Sequence, residues 1–211
     1  MKKKVLLMLM ILLTLTMCRK QKLEEITIVN GQFNGHDYVD LGLPSGLLWA
    51  TCNIGADSPY DYGNYYAWGE TMTKSIYTEE NSMTWGQSIG DISGNPQYDA
   101  ARVNWGGTWR LPIRSEFEEL INNCTWTWTI RNNNYGYIVT GPNGNSIFLP
   151  AAGYREGFSL DDAGSDGAYW SSTPKESFIT YDAYFLDFDS RELSMDWDDR
   201  CEGLSIRPVS D

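Results

Sequence analysis

An α+β domain with few helices, many short antiparallel strands and long ordered loops is what the sequence predicts. Three observations carry that expectation. One segment has a clear helical apolar stripe, several later segments alternate apolar and polar residues between turn signals, and tryptophans recur beside glycines and prolines. The last kind includes Trp105-Gly106-Gly107-Thr108-Trp109-Arg110-Leu111-Pro112, echoed by Tyr169-Trp170-Ser171-Ser172-Thr173-Pro174, and Ile206-Arg207-Pro208-Val209 closes the chain's motifs. Large rings next to turn residues suit loops pinned by aromatic plugs. None of these stretches carries a nucleophile with its base, a metal-ligand spacing or a phosphate cradle.

Residues 1–18 read as a secretory signal. Lys2, Lys3 and Lys4 precede an apolar run from Val5 to Leu13, too short for a spanning helix. The ending Leu15-Thr16-Met17-Cys18 resembles a bacterial lipobox, with Met17 where a small residue is usual. Cys18 is therefore the expected lipidation site, a simply cleaved signal being the alternative. Residues 19–35 read as a tether with one candidate strand, Ile26-Thr27-Ile28-Val29. One domain then runs from 36 to 211, without an internal repeat or a Pro/Ser-rich linker.

Within it, Tyr65 to Trp68 reads as a strand and Gln97 to Val103 as a short helix. Arg114 to Asn123 is the strongest helix: Phe117, Leu120, Ile121 and Cys124 fall at i, i+3, i+4, i+7, and Ser115 with Glu118 has capping-box spacing. Thr125 to Ile130 alternates, with Trp126, Trp128 and Ile130 on one side. A polar Asn132-Asn133-Asn134 turn leads into Tyr135 to Thr140, and Pro142-Asn143-Gly144-Asn145 turns into Ile147 to Leu149. Further strands are expected over Ala168 to Ser171, Tyr184 to Asp189, Leu193 to Asp198 and Ser205 to Val209.

Composition narrows the function classes. The 211 residues are 42% hydrophobic and 14% aromatic, with nine Trp and thirteen Tyr, enough for a real core. The net charge is −12, and without the three leader lysines it is −15, 13 basic against 28 acidic residues. That sign disfavours nucleic acid and anionic membrane surfaces, so a membrane association is expected only through the lipid. The single histidine, His36, lies at the domain entry, which argues against His-dependent nucleophilic catalysis. Cys52, Cys124 and Cys201 lack the spacing of a zinc cluster. Cys52 and Cys124 read as buried, either paired or as two small hydrophobes. Cys201 reads as unpaired on a tolerant surface.

Tyr38-Val39-Asp40-Leu41-Gly42-Leu43-Pro44-Ser45-Gly46-Leu47-Leu48-Trp49-Ala50-Thr51-Cys52, Tyr65-Tyr66-Ala67-Trp68-Gly69-Glu70, WGGTWRLP, Leu149-Pro150-Ala151-Ala152-Gly153-Tyr154, YWSSTP and the closing Ser-Ile-Arg-Pro-Val together resemble the Fibrobacter succinogenes major paralogous domain family. The likeness runs from about Asp37 to Asp211, and Ile113 departs from a typical Thr cap. It implies a C-type lectin-like fold and a secreted or lipid-anchored protein of Bacteroidetes, here expected at the outer membrane and cell surface. Formylglycine-generating enzymes share that fold class but need a close cysteine pair, and Cys201 has no neighbour. Retroelement-diversified relatives vary their C-terminal segment, so the corresponding positions here are candidates for such variation.

That segment holds the candidate site. Tyr184, Leu186 and Phe188 share one parity, and Phe185, Asp187 and Asp189 the other. Leu193, Met195 and Trp197 alternate with Ser194, Asp196 and Asp198. A hairpin of the two would have one apolar face and one carrying Asp187, Asp189, Asp196 and Asp198, with like charges opposed. Calcium suits such carboxylates, yet there is no ligand loop, so no metal and no cofactor is assigned. The expected ligand-binding residues are Tyr181, Asp182, Tyr184, Phe185, Asp187, Asp189, Ser194, Asp196, Trp197, Asp198, Asp199 and Cys201. The aromatics would give contact area and the aspartates selectivity for an extracellular protein or glycan. A non-enzymatic binding protein is the expectation. A subunit of a cell-surface or fimbrial assembly is one alternative, and a carboxylate-dependent glycan hydrolase another. Arg110 and Arg207 are expected to stitch the frame.

Overall fold

The computed structural model describes residues 29–176 and 180–211. The leader, Cys18 and most of the candidate strand at 26–29 lie outside the described residues. In chain order the elements are β1 (Gly31–Phe33), β2 (His36–Asp40), β3 (Leu48–Ala50), helices α1 (Ala100–Trp105) and α2 (Arg114–Asn123), β4 (Thr125–Arg131), β5 (Asn134–Thr140), β6 (Ser146–Pro150), β7 (Gly167–Pro174), β8 (Asp182–Phe188), β9 (Leu193–Asp199) and β10 (Val209–Ser210). They form three antiparallel sheets, ordered β1-β2-β3-β10, β4-β5-β6 and β7-β8-β9. The α+β expectation holds.

The strands with strong local signals stand where the alternation puts them. β4 and β5 close on a two-residue turn in which Asn132 and Asn133 take φ of 45° and 69°, the left-handed pair a tight hairpin needs. Trp126 and Trp128 lean on the core, whereas Ile130 on the same side is left exposed. Other expectations change. Gly31–Phe33 pairs with β2, so the domain begins inside the stretch read as a tether. Tyr65 to Trp68 makes a single bridge, Tyr66 to Leu204, and is otherwise a buried loop. Of the last expected strand only Val209 is ladder, continued by Ser210.

Both helices start on caps that spacing alone did not reveal. Asp99 begins α1, two or three residues later than expected; its carboxylate accepts the N–H groups of Arg102, Leu111 and Gly94 at 3.0, 2.9 and 2.6 Å. For α2 the box residue is Glu116, which accepts the Ile113 N–H at 2.8 Å, not Ser115 with Glu118. Thr173 on β7 takes the Arg114 N–H at 3.1 Å, so a threonine from another strand fills the role that Ile113 cannot.

Two cores share β7-β8-β9. Tyr169, Leu186 and Phe188 face one, with Trp49, Phe117 and Tyr137, and α2 packs on this side. Trp170, Ala183 and Phe185 face the other, with Trp68, Trp105 and Trp109. The aromatic plugs are also tethers: indole N–H groups of Trp68, Trp109 and Trp170 donate to the carbonyls of Ser171, Phe33 and Tyr66 at 3.0, 2.9 and 2.8 Å. Buried Arg207 ties the three sheets together. Its guanidinium donates to the Ala50 and Thr51 carbonyls at the end of β3, to Phe148 O on β6, and to Asn53 Oδ1, whose amide reaches Tyr169 on β7. Arg110 grips Glu116 with two bonds of 2.9 and 2.7 Å and adds Asp211.

Among the described residues Cys52, Cys124 and Cys201 are free, so the pairing considered for Cys52 and Cys124 does not occur. Both are half-buried rather than buried, and Cys201 is buried at 6% exposure rather than on the surface. Burial pushes the Cys124 thiol up to about 11 and, with Asp199 and Glu202 nearby, that of Cys201 up to about 12. Cys52 lines an open cavity of about 380 Å3 beside His36 and Trp105. In native protein Cys52 is expected to react with a maleimide first, at least about tenfold faster than Cys124 or Cys201. Peptide mapping of the labelled protein checks the order; equal labelling would contradict it.

Candidate functional site

The C-terminal segment does not present one face. Its register spreads the expected residues along the hairpin. Across β8 and β9, Asp187 stands opposite Ser194, Asp196 opposite Phe185, and Asp198 opposite Ala183. The expected opposition of like charges on that face is therefore absent. The one acidic pair directly opposed is Asp182 with Asp199, on the other parity.

Phe185 and Cys201 are scaffold rather than contact surface. Phe185 is buried edge-on against Trp170, their centroids 6.0 Å apart, and Cys201 sits beneath the turn after β9. Tyr184 is half-buried under Arg114, whose guanidinium lies 4.1 Å over the ring. At the far end of the hairpin Asp189 accepts the Arg191 and Glu192 N–H groups at 2.6 and 2.7 Å, which holds its pKa low. Burial, with Asp166 and Asp196 nearby, pushes Asp187 up to about 6. Ser194 and Asp196 are exposed between these ends.

The other end of the hairpin gathers more. Tyr181 stacks on Trp85 at 4.5 Å, beside Gly86, where a Cβ would come within 3.2 Å of the Tyr181 ring. Lys175 reaches Asp182 Oδ2 at 3.4 Å and places its ammonium over the Trp197 ring. Buried Arg200 anchors the group. It donates to Asp182 O and Gln87 O at 3.1 and 2.9 Å and lies over the Trp68 ring.

Beyond Arg200 lies an open pocket of about 540 Å3, built from three distant segments. Tyr77–Glu80, Glu156–Asp161 and Asp199–Glu202 form its walls. They are tied by reciprocal backbone bonds between Tyr77 and Gly157 and between Arg155 and Gly203. Gly203 is required here because a Cβ would sit 2.5 Å from the Tyr77 ring. Six carboxylates line the pocket, those of Glu79, Glu80, Glu156, Asp161, Asp199 and Glu202, and no lysine or arginine does. Phe158 stands on the rim at 78% exposure.

The carboxylates are not equivalent. Burial, with Asp198 against it, pushes Glu202 up to about 9, and its Oε2 is buried without a partner. Burial, Asp198 and Asp182 push Asp199 up to about 6. Each raised acid thus leans on neighbours, Glu202 on Asp198 and Asp199 on Asp198 and Asp182, and holds its proton to a higher pH than an exposed carboxyl would. Among the described residues no group of three His, Cys, Asp or Glu side chains is placed to hold a metal ion. No helix among them is long and apolar enough to cross a membrane.

Of the expected residues Asp199 and Cys201 line this pocket, while Asp182 stands behind it, opposite Asp199, and Asp198 beside Glu202. Asp187, Asp189 and Ser194 lie elsewhere along the hairpin. Sequence reasoning missed Trp85, Glu79, Glu156, Phe158 and Glu202. Phe158 carried a readable signal, an aromatic alone in the polar stretch Glu156-Gly157-Phe158-Ser159, while Glu202 is adjacent to a residue already singled out.

Compared with known protein families, residues 121–209 match the model of a domain of unknown function, DUF8237. No curated protein and no solved structure matches the chain.

Proposed function

We propose that the chain is a non-enzymatic, surface-displayed lipoprotein of C-type lectin-like fold. Its C-terminal pocket captures a cationic group of an external protein or glycan. The observation that carries this is the pocket itself, six carboxylates around an open cavity with no basic residue among its lining and Phe158 on the rim. Such a surface attracts a lysine, arginine or amino-sugar group electrostatically and offers a ring for its apolar part. The stacked Trp85 and Tyr181 add rigid contact area. The short antiparallel sheets, two helices and long tied loops agree with the family resemblance, as does a frame that closes on Arg207. If retroelement variation acts on this segment, Tyr181, Asp182 and Asp199 are open to it. Phe185 and Cys201 are closed by burial.

The test is capture of a lysine-rich peptide by the soluble domain, with an isosteric glutamate-rich peptide as control. Glu79→Gln with Glu156→Gln, and separately Phe158→Ala, are each expected to weaken capture of the basic peptide about tenfold while the melting temperature stays within a few degrees. Unchanged capture would remove the pocket from the reading. A reverse transcriptase gene and a template repeat beside this gene would support variation. Mass spectrometry of the membrane fraction would test lipid on Cys18.

One feature favours a hydrolase instead: burial and the adjacent Asp198 raise the pKa of Glu202 toward that of a general acid. The two carboxyls are in hydrogen-bonding contact, however, whereas glycosidases hold theirs about 5 Å or more apart to admit a nucleophilic attack or a water. The pair is better suited to share a proton than to cut a glycosidic bond.

A further inference from the structure

β9 is the outer strand of its sheet among the described residues, so half of its backbone groups point away from β8. Two flanking bonds fix which half. Asp189 N donates to Glu192 O at one end and Arg200 N to Tyr181 O at the other, so even-numbered residues pair inward and odd-numbered ones face outward. Two of the outward donors are already taken by their own neighbours. Asp196 Oδ1 accepts the Trp197 N–H at 2.8 Å, and Asp198 Oδ1 accepts the Asp199 N–H at 2.8 Å.

We propose that the β9 edge is a self-pairing surface kept closed by Asp196 and Asp198, which exclude a second copy of this chain. The strand is complementary to itself. Antiparallel pairing centred on Met195 would set Trp197 opposite Leu193 of the second copy and Asp196 opposite its Ser194, with outward N–H and C=O groups in register. The same alignment sets Asp198 against Glu192, a like-charge contact. The guard is selective by sign. A basic strand would be drawn to these carboxylates, while an acidic one is repelled, and a chain of net charge −12 is itself such a partner. The inference is independent of ligand capture by the pocket, because Asp196 and Asp198 are not among the pocket's lining residues.

The test is sedimentation velocity of the purified domain carrying Asp196→Ala with Asp198→Asn. Asparagine at 198 keeps an oxygen for the Asp199 N–H and a partner for Glu202, while alanine at 196 frees the Trp197 N–H. A dimer is expected at concentrations at least tenfold below those at which the native protein associates. Adding Met195→Pro, which removes an outward N–H without breaking an inward bond, is expected to restore the monomer. A double variant that stays monomeric, or a dimer indifferent to the proline, would overturn the proposal. Should the alanine variant lose its near-ultraviolet dichroism, Asp196→Asn with Asp198→Asn is measured instead. It removes both charges, so association above the native level is expected, and its absence would equally overturn the proposal.

Discussion

Replacing Arg207 by Ala is expected to lower the unfolding free energy by about 4 kcal/mol or more, read from urea denaturation. The side chain is completely buried, with no carboxylate within its bonds. It meets four oxygens, those of Ala50, Thr51, Phe148 and the Asn53 amide, at 2.7 to 3.1 Å. Burial pulls its pKa below the ordinary arginine value, the direction expected when a cation leaves water for neutral dipoles. Alanine would leave those four acceptors unpaired and open a cavity between three sheets. Lysine at 207 is expected to recover only a minor part of the loss. Its single nitrogen cannot reach acceptors spread over a planar fork. A loss below about 1 kcal/mol for the alanine variant would show that the junction is not held by this residue.

Glu202→Gln is expected to flatten the alkaline side of the stability curve. A carboxyl whose pKa is raised by folding favours the folded state while protonated. That contribution is complete below the unfolded value of 4.5 and is lost as pH rises toward the folded value of about 9. Asp187 and Asp199, raised to about 6, complete their own loss near that pH, so of these three carboxyls Glu202 is the one that still acts between pH 6 and 9. Native protein should therefore lose roughly 2 kcal/mol over that interval after allowance for the solvent that reaches this group. Glutamine keeps the donor toward Asp198 and cannot ionise, so the variant should hold its melting temperature across the interval. Parallel slopes for the two proteins would show that Glu202 is ionised in the folded state.

The sheet β4-β5-β6 was legible because its signals are local: alternation, and asparagines able to take positive φ. The α2 helix was legible for the same reason. β1, β2 and β3 were not, since β3 is completed by β10 and nothing near Leu48–Ala50 announces that partner. Tyr65 to Trp68 shows the opposite error. Its apolar run reports burial rather than a strand, since its polar groups are met by Arg200 O, Leu204 and Thr84 rather than by a ladder. At the site, parity placed the aspartates on the correct strands but could not give the pairing register. That register sets Asp196 against Phe185 and so spares the expected repulsion. The pocket was hidden because Glu79, Glu156 and Glu202 converge only through bridges between distant loops.

The closing strand has a consequence for biosynthesis. Val209 sits against Trp49, and Arg207 fills the junction of all three sheets, so a nascent chain still short of these residues cannot complete its first sheet. Assembly waits for the ribosome to deliver the segment that also supplies one wall of the pocket. A product stopped early by a frameshift inside that segment would lack the keystone and be open to proteolysis, so changes there are screened for a readable end as the chain folds.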